Sequence, residues 1–202
     1  SKLQAIEFSS TISTLRRGQS AWGRINTISG IMALLRKEKI VELGDFASDQ
    51  PTEDIELTWR IHREGYRCIY EPSAQVGMKV PLTLRDWFKQ RRRWGSGLIY
   101  VLKRHGFKII RKWEWPAFPL LLEATLAIIW CHLLLLFVVL WLITLLFGEF
   151  KYESPLGIGR WGTMAIGVSL LQILWGMHLD KSHDRSISKL WPLAPLYPLF
   201  YW

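Results

Sequence analysis

Two short stretches of this chain hold residue types that can do chemistry. The first is Thr52-Glu53-Asp54, directly after Pro51. A carboxylate at the start of a helix stays ionised, so it can accept a proton from a hydroxyl nucleophile. The same dipole works against its basicity, so a base here needs a dry pocket or a hydroxyl polarised in the transition state. A purely structural job fits the same residues: Thr52 as N-cap and two acids in the first turn. The second stretch is Gln90-Arg91-Arg92-Arg93-Trp94. On a helix, Gln90 shares a face with Arg93 (i, i+3) and with Trp94 (i, i+4). Arginine holds phosphate oxygens with a planar fork, and an indole face packs on a pyranose ring. A basic amphipathic helix lying on anionic lipid explains the same residues, and different faces of one helix can do both jobs.

The elements that must position these residues read as part of an α/β domain. Residues 3–17 are helical by periodicity and end in Arg16-Arg17-Gly18. Residues 25–35 read as a buried strand with a turn at Ser29-Gly30, and 36–43 as a short helix closed by Gly44. Residues 53–63 predict a helix stopped by Gly65, with Ile55, Trp59 and His62 on one side. Tyr66–Tyr70 and the alternating Val76, Met78 and Val80 predict two further strands. From Leu84 to Leu98 apolar residues recur near helical spacing.

Composition divides the chain. It has 202 residues, 26 Lys+Arg against 17 Asp+Glu, and 12 Trp; its pI is near 9.8 and its mean hydropathy +0.11. The whole net charge of +9 lies in residues 1–115, and residues 116–202 are neutral. A single soluble domain and a disordered basic tail are both excluded. Cys68 and Cys131 share no local motif, which excludes a disulfide framework and a cysteine-rich zinc site, and a reducing compartment is expected for Cys68. No signal peptide is visible from Ser1, and both ends read as cut points.

The neutral part predicts membrane spans at about 125–147 and 161–179, with a third begun at 190. Ten Lys+Arg lie between Arg85 and Lys112, which predicts a cytoplasmic first part, an external loop at 148–160 and a return inside at 180–189. Trp113, Trp115, Trp161 and Trp191 stand at the ends of the apolar runs, where interfacial aromatics belong. Glu123 and His132 are the ionisable residues of the spans, and Glu123 lies near the cytoplasmic end. The expected organisation is 1–82 as cytoplasmic catalytic material, 83–116 as basic interfacial helices, and 117–202 as transmembrane region. Basic residues crowd against the first span instead of spreading over a groove-reading element, so no nucleic-acid partner is expected.

Thr-Glu-Asp, then Tyr66–Tyr70, Glu71-Pro72, Val80-Pro81 and Gln-x-x-Arg-Trp ahead of apolar runs resembles the processive, membrane-embedded family 2 glycosyltransferases. Residues 1 to about 104, with Asn26-Thr-Ile-Ser-Gly30 and Phe88-Lys-Gln-Arg91, look most like the bacterial poly-β-1,6-N-acetylglucosamine synthases. The resemblance implies the C-terminal half of a GT-A-like domain, then interfacial helices and an α-helical membrane region. It implies Asp54 as catalytic base with Glu53 supporting. Gln90, Arg93 and Trp94 would hold the nucleotide diphosphate and the acceptor end, and Thr27, Ser29 and Gly30 would line the acceptor site.

The implied reaction is inverting transfer of a sugar, N-acetylglucosamine favoured, from a UDP-sugar to a growing polysaccharide that passes across the inner membrane. A divalent cation, Mg or Mn, is expected in the full-length protein. Its usual Asp-x-Asp pair is absent from this sequence, so no metal ligand is expected here and the chain alone should not catalyse. The bilayer and a small accessory membrane subunit are expected partners. The competing expectations are a non-processive membrane transferase making a glycolipid, a basic membrane-anchored binding protein and a transporter component.

Overall fold

A computed structural model describes residues 2–146 and 158–195. These residues fall into two compact units: Ser13–Ala124, and Lys2–Ile12 together with the chain from Thr125 on.

The first unit is built around α4 (Glu53–Arg63). Acids fill the first turn of α4, and Arg60, His62 and Arg63 fill its last turn, so both ends complement the helix dipole. Gly65, at φ +80°, closes it: its N–H bonds to the His62 carbonyl, and the Tyr66 N–H bonds to Ile61. One face of α4 puts Leu57 and Ile61 against Ile25, Ile40 and Cys68. Another puts Trp59 against Val101, Ile109, Ala117 and Leu120. Apolar burial on two sides fixes this helix in both directions. Before it come α2 (Thr14–Ala21) and α3 (Lys37–Glu42).

After it, α5 (Leu84–Val101) starts at Thr83, whose hydroxyl oxygen accepts from the Asp86 N–H and donates to the Asp86 carboxylate. A π-helical turn, Leu102–Gly106, carries α5 into α6 (Phe107–Lys112). Trp113, left-handed at φ +56°, then turns the chain into a 3-10 turn, Trp115–Ala117. Residues 84–112 are thus helical throughout.

The expected strands do not form. Among the described residues there is no strand; Arg24 and Cys68 make one isolated parallel bridge, and Ser29 and Met32 one antiparallel bridge. The turn at Ser29-Gly30 is present, closed by the Met32 N–H on the Ser29 carbonyl. The reason lies in the hydrogen bonds. The N–H groups of Asn26, Ile28 and Gly30 lie on one edge of an extended segment, and side chains of Gln19, Thr58 and Asp54 accept them. That edge is satisfied by helices rather than by a neighbouring strand. The Tyr70 N–H likewise bonds to the Ser20 hydroxyl. Residues 76–80 make no ladder, and Val76 is half exposed.

In the second unit, α1 (Lys2–Glu7) continues through a π-helical segment, Phe8–Ser13. The helical run thus passes Gly18 and ends at Ala21, beyond the expected stop at 17. Ile6 packs with Ile173, Met177, Ile187 and Ala194. The residues expected as spans lie in α7 (Phe118–Leu146) and α8 (Ile158–Asp180), apart from 147, which is outside the described residues. One helical stretch, Trp115–Leu133, is long and apolar enough to cross a membrane by length and composition, and 17% of it is buried in the protein. A buried share that low leaves most of its apolar side chains facing away from this chain. Residues 158–160 are the first turn of α8 rather than loop, and 147–157 lie outside the described residues. Ile187–Leu193 is a 3-10 turn containing Pro192, and the rest of the expected third span, from 196 on, lies outside the described residues.

Both cysteines are free; Cys68 is buried, which pushes its thiol up to about 11 and leaves it unreactive.

Candidate active site

Asp54 stands in the first turn of α4 with its side chain half-buried. Its Oδ1 accepts from the Ile55 N–H at 2.9 Å, and its Oδ2 accepts from the Gly30 N–H at 3.2 Å. A methyl group at Gly30 would lie 3.0 Å from Oδ2, so a residue without a side chain lets the backbone come this close. Thr58, one turn along α4, donates to the Asp54 carbonyl at 2.6 Å and accepts from the Ile28 N–H at 2.9 Å. Thr58 therefore ties the Thr27–Gly30 segment to the helix that carries Asp54. Thr27 donates to the Ile28 carbonyl, and Ser29 is half-buried at the turn. Glu53, beside Asp54, is exposed.

The second stretch meets the first at the start of α4. Arg93 Nη1 donates to the Pro51 carbonyl at 3.2 Å. One turn further along α5, Gly97 is buried against Thr52; an added Cβ there would stand 1.9 Å from the Thr52 Oγ1. Thr52 occupies the N-cap position without a side-chain cap bond, and its buried hydroxyl has no hydrogen-bond partner. The expectation that Thr52 caps α4 through its side chain is thus corrected: its hydroxyl is packed against the α5 backbone instead. Trp94 and Trp87 flank Arg91, whose guanidinium lies 4.7 Å and 5.6 Å from the two ring centroids. This stack lies over one side of the Trp94 indole. Gln90 is half-buried on the same helix.

Four further residues build this site. Arg16 lies in the field of Asp54 and Tyr70; burial pushes its pKa down, and both neighbours pull it back up. Glu56 and His105 are buried and bonded to each other at 3.0 Å, and Thr58 is described above. Burial alone would raise the Glu56 carboxyl, but bonds from His105 and Arg60 hold it below its ordinary value. The one signal available in the sequence was an acid at Glu56 on the apolar side of α4. Nothing in the spacing pairs it with His105, forty-nine residues away.

No group of three or more His, Cys, Asp or Glu among the described residues can hold a metal ion. Asp54 is bonded to backbone, Glu56 to side chains, and Asp49 to Arg104. The described residues do not fit a divalent cation.

Residues 1–179 match the family described as glycosyl transferase family group 2. The chain belongs to this family. Membership supports a GT-A-like fold for its catalytic part, to which the described residues of the first unit contribute helices and two isolated bridges. Among curated relatives, the poly-beta-1,6-N-acetyl-D-glucosamine synthase of Staphylococcus aureus (strain COL) is 40% identical over 136 residues, covering 67% of this chain and 33% of that protein. The synthase of the same name from Staphylococcus epidermidis is 31% identical over 204 residues, covering 100% of this chain and 49% of that protein. The chain thus spans half or less of the length of these relatives. No solved structure matches significantly.

Proposed function

We propose that this chain supplies the acceptor side of an inverting glycosyltransferase that extends poly-N-acetylglucosamine from a UDP-sugar. Asp54 takes the proton of the acceptor hydroxyl as that oxygen bonds to the anomeric carbon. The bond from the anomeric carbon to the diphosphate breaks, and its electron pair leaves on the nucleotide. Attack opposite the leaving group inverts the anomeric centre. Gly30 and Ile55 N–H groups occupy one lone pair on each carboxylate oxygen and leave the others for the proton. Arg93 and Gln90 serve the diphosphate, and the open side of Trp94 serves the acceptor sugar.

One observation supports this reading above the others. Arg93 bonds to Pro51, beside the Thr52-Glu53-Asp54 motif, so a guanidinium and the motif's carboxylates share one neighbourhood. The relatives' printed names favour N-acetylglucosamine over other sugars. The chain works at the cytoplasmic face of the inner membrane, with the apolar α7 and α8 as spans of a multi-pass protein that passes the polymer outward. A divalent cation for the diphosphate is held by residues other than those described, and a small accessory subunit binds in the membrane.

The test is incorporation of labelled N-acetylglucosamine by membranes holding the full-length gene product. Asp54→Asn should lower incorporation by about a thousandfold or more while the protein still inserts in the membrane. Polymer made at the wild-type rate by this variant overturns the assignment.

A further inference from the structure

We propose that Glu56 and His105 form a buried pin that holds the helix carrying Asp54 against the helix carrying Arg93 and Trp94. The inference rests on the reading of Asp54 as the base, and it makes Glu56 and His105 positioning residues.

The geometry fixes the protons. Glu56 is 0% exposed and His105 3% exposed. Glu56 Oε2 accepts from Arg60 Nε at 2.8 Å, and Oε1 lies 3.0 Å from His105 Nε2. On the other side of the ring, Nδ1 lies 2.9 Å from Arg63 Nη1. A guanidinium has donors and no acceptor, so Nδ1 must present its lone pair. The single ring proton is then on Nε2, donated to Glu56. Arg63 is itself held by Glu114 through two bonds, at 2.5 Å and 2.8 Å. Those bonds hold Arg63 protonated: they raise its pKa and lower that of Glu114.

The charged groups bonded around the ring come from three segments, and Glu64 and Lys112 add one charge of each sign beside Arg63 and Glu114. From α4 come Glu56, Arg60 and Arg63; from the turn before Trp115 comes Glu114. Arg104, beside His105 in the π-helical turn, lies 3.6 Å from Glu56 and bonds to Asp49 at 2.8 Å. Three carboxylates thus face three guanidiniums, and the cluster is neutral with a neutral imidazole. Loss of the imidazole breaks both of its bonds, and with them one anchor of α5 on α4.

The pin acts at a distance from the chemistry. Glu56 lies two positions after Asp54 on α4. His105 lies in the π-helical turn that continues α5 and α6, and such turns re-aim side chains without ending a helix. The pin lies at the end of α5 away from the packing of Gly97 on Thr52, beyond the contact of Val101 with Trp59. Its loss loosens that end, and misplacement of about 1 Å at the reacting groups costs about a hundredfold in rate.

The experiment uses the full-length gene product in membranes, with variants normalised to the amount of inserted protein. His105→Phe should lower kcat by about a hundredfold with less than about a threefold change in KM for the UDP-sugar. His105→Gln offers an amide N–H to Glu56 and a carbonyl to Arg63, and should restore kcat to within about fivefold of wild type. Wild-type kcat in His105→Phe, or equal loss in both variants, overturns the pin. Asp54→Asn assayed alongside separates the failures. An active Asp54→Asn overturns the base assignment, whereas an inactive one beside a fully active His105→Phe overturns the pin alone.

Discussion

Asp54 and Glu56 are two carboxylates two positions apart on one helix, and their surroundings differ in kind. Asp54 is held by two backbone N–H groups and is only half-buried. Glu56 is fully buried and held by side chains from its own helix and from the π-helical turn after α5. A carboxylate held by backbone on one side keeps another side free for a reacting hydroxyl. A carboxylate enclosed by cations has no such side and serves to join elements. The difference is geometric: a step of two along a helix turns the side chain by about 200°, away from the Gly30 turn and into the packed interior.

That contrast can be broken at three points, in falling order of effect. Glu56→Ala should be the most damaging to folding. It leaves Arg60 and His105 without their partner, and breaking such a buried pair costs about 3–5 kcal/mol. Thermal unfolding of the full-length protein in detergent reads this as a large drop in Tm. The same carboxylate sets an acid limit. Its folded pKa lies below the ordinary value of 4.5, so its stabilisation is present above that value and is lost as pH falls through the folded pKa. Wild type should therefore lose stability below about pH 4.5 more steeply than Glu56→Ala. Equal slopes would mean that Glu56 is not ionised in the fold.

The second point is the open side of Asp54. Gly30→Ala brings a methyl group to 3.0 Å from Oδ2. The expected result is a fall of about tenfold in kcat with Tm nearly unchanged, because the carboxylate moves by a few tenths of an ångström while the fold does not. A matching fall in Tm would make Gly30 a structural residue only. The smallest effect is expected at Asp49, which pairs with Arg104 at 2.8 Å on an exposed side. Asp49→Asn should leave Tm and incorporation indistinguishable from wild type, since solvent screens such pairs. A clear loss would extend the buried cluster out to the surface.

Much of the site was legible in the order of residues. The acids at 53, 54 and 56, the bases at 60, 62 and 63 and the glycine at 65 mark α4 from its start to its stop, and the structure has the helix at 53–63. The spacing of Gln90, Arg93 and Trp94 puts them on α5. The strands were the failure. Residues 25–35 and 66–70 have strand-like composition, but composition does not choose the partner for a backbone N–H. At Asn26, Ile28 and Gly30 that partner is a side chain on a helix. The Gln19 side chain that accepts from Asn26 also donates to Glu123, so the acid at the start of the apolar helix is tied to α2.

The sequence by itself determined the helices, the basic band and the apolar run, because caps, charge and periodicity act between neighbours in the chain. Net charge of +8 falls within residues 83–115, and no folding is needed to put it there. Only the tertiary structure decided which carboxylate stands half-open and which is enclosed. That choice depends on groups far apart in the chain: Gly30 approaching Asp54, Gly97 closing on Thr52, and His105 reaching Glu56. Such contacts follow from the packing of α4 between two apolar clusters, which no local pattern of residues specifies.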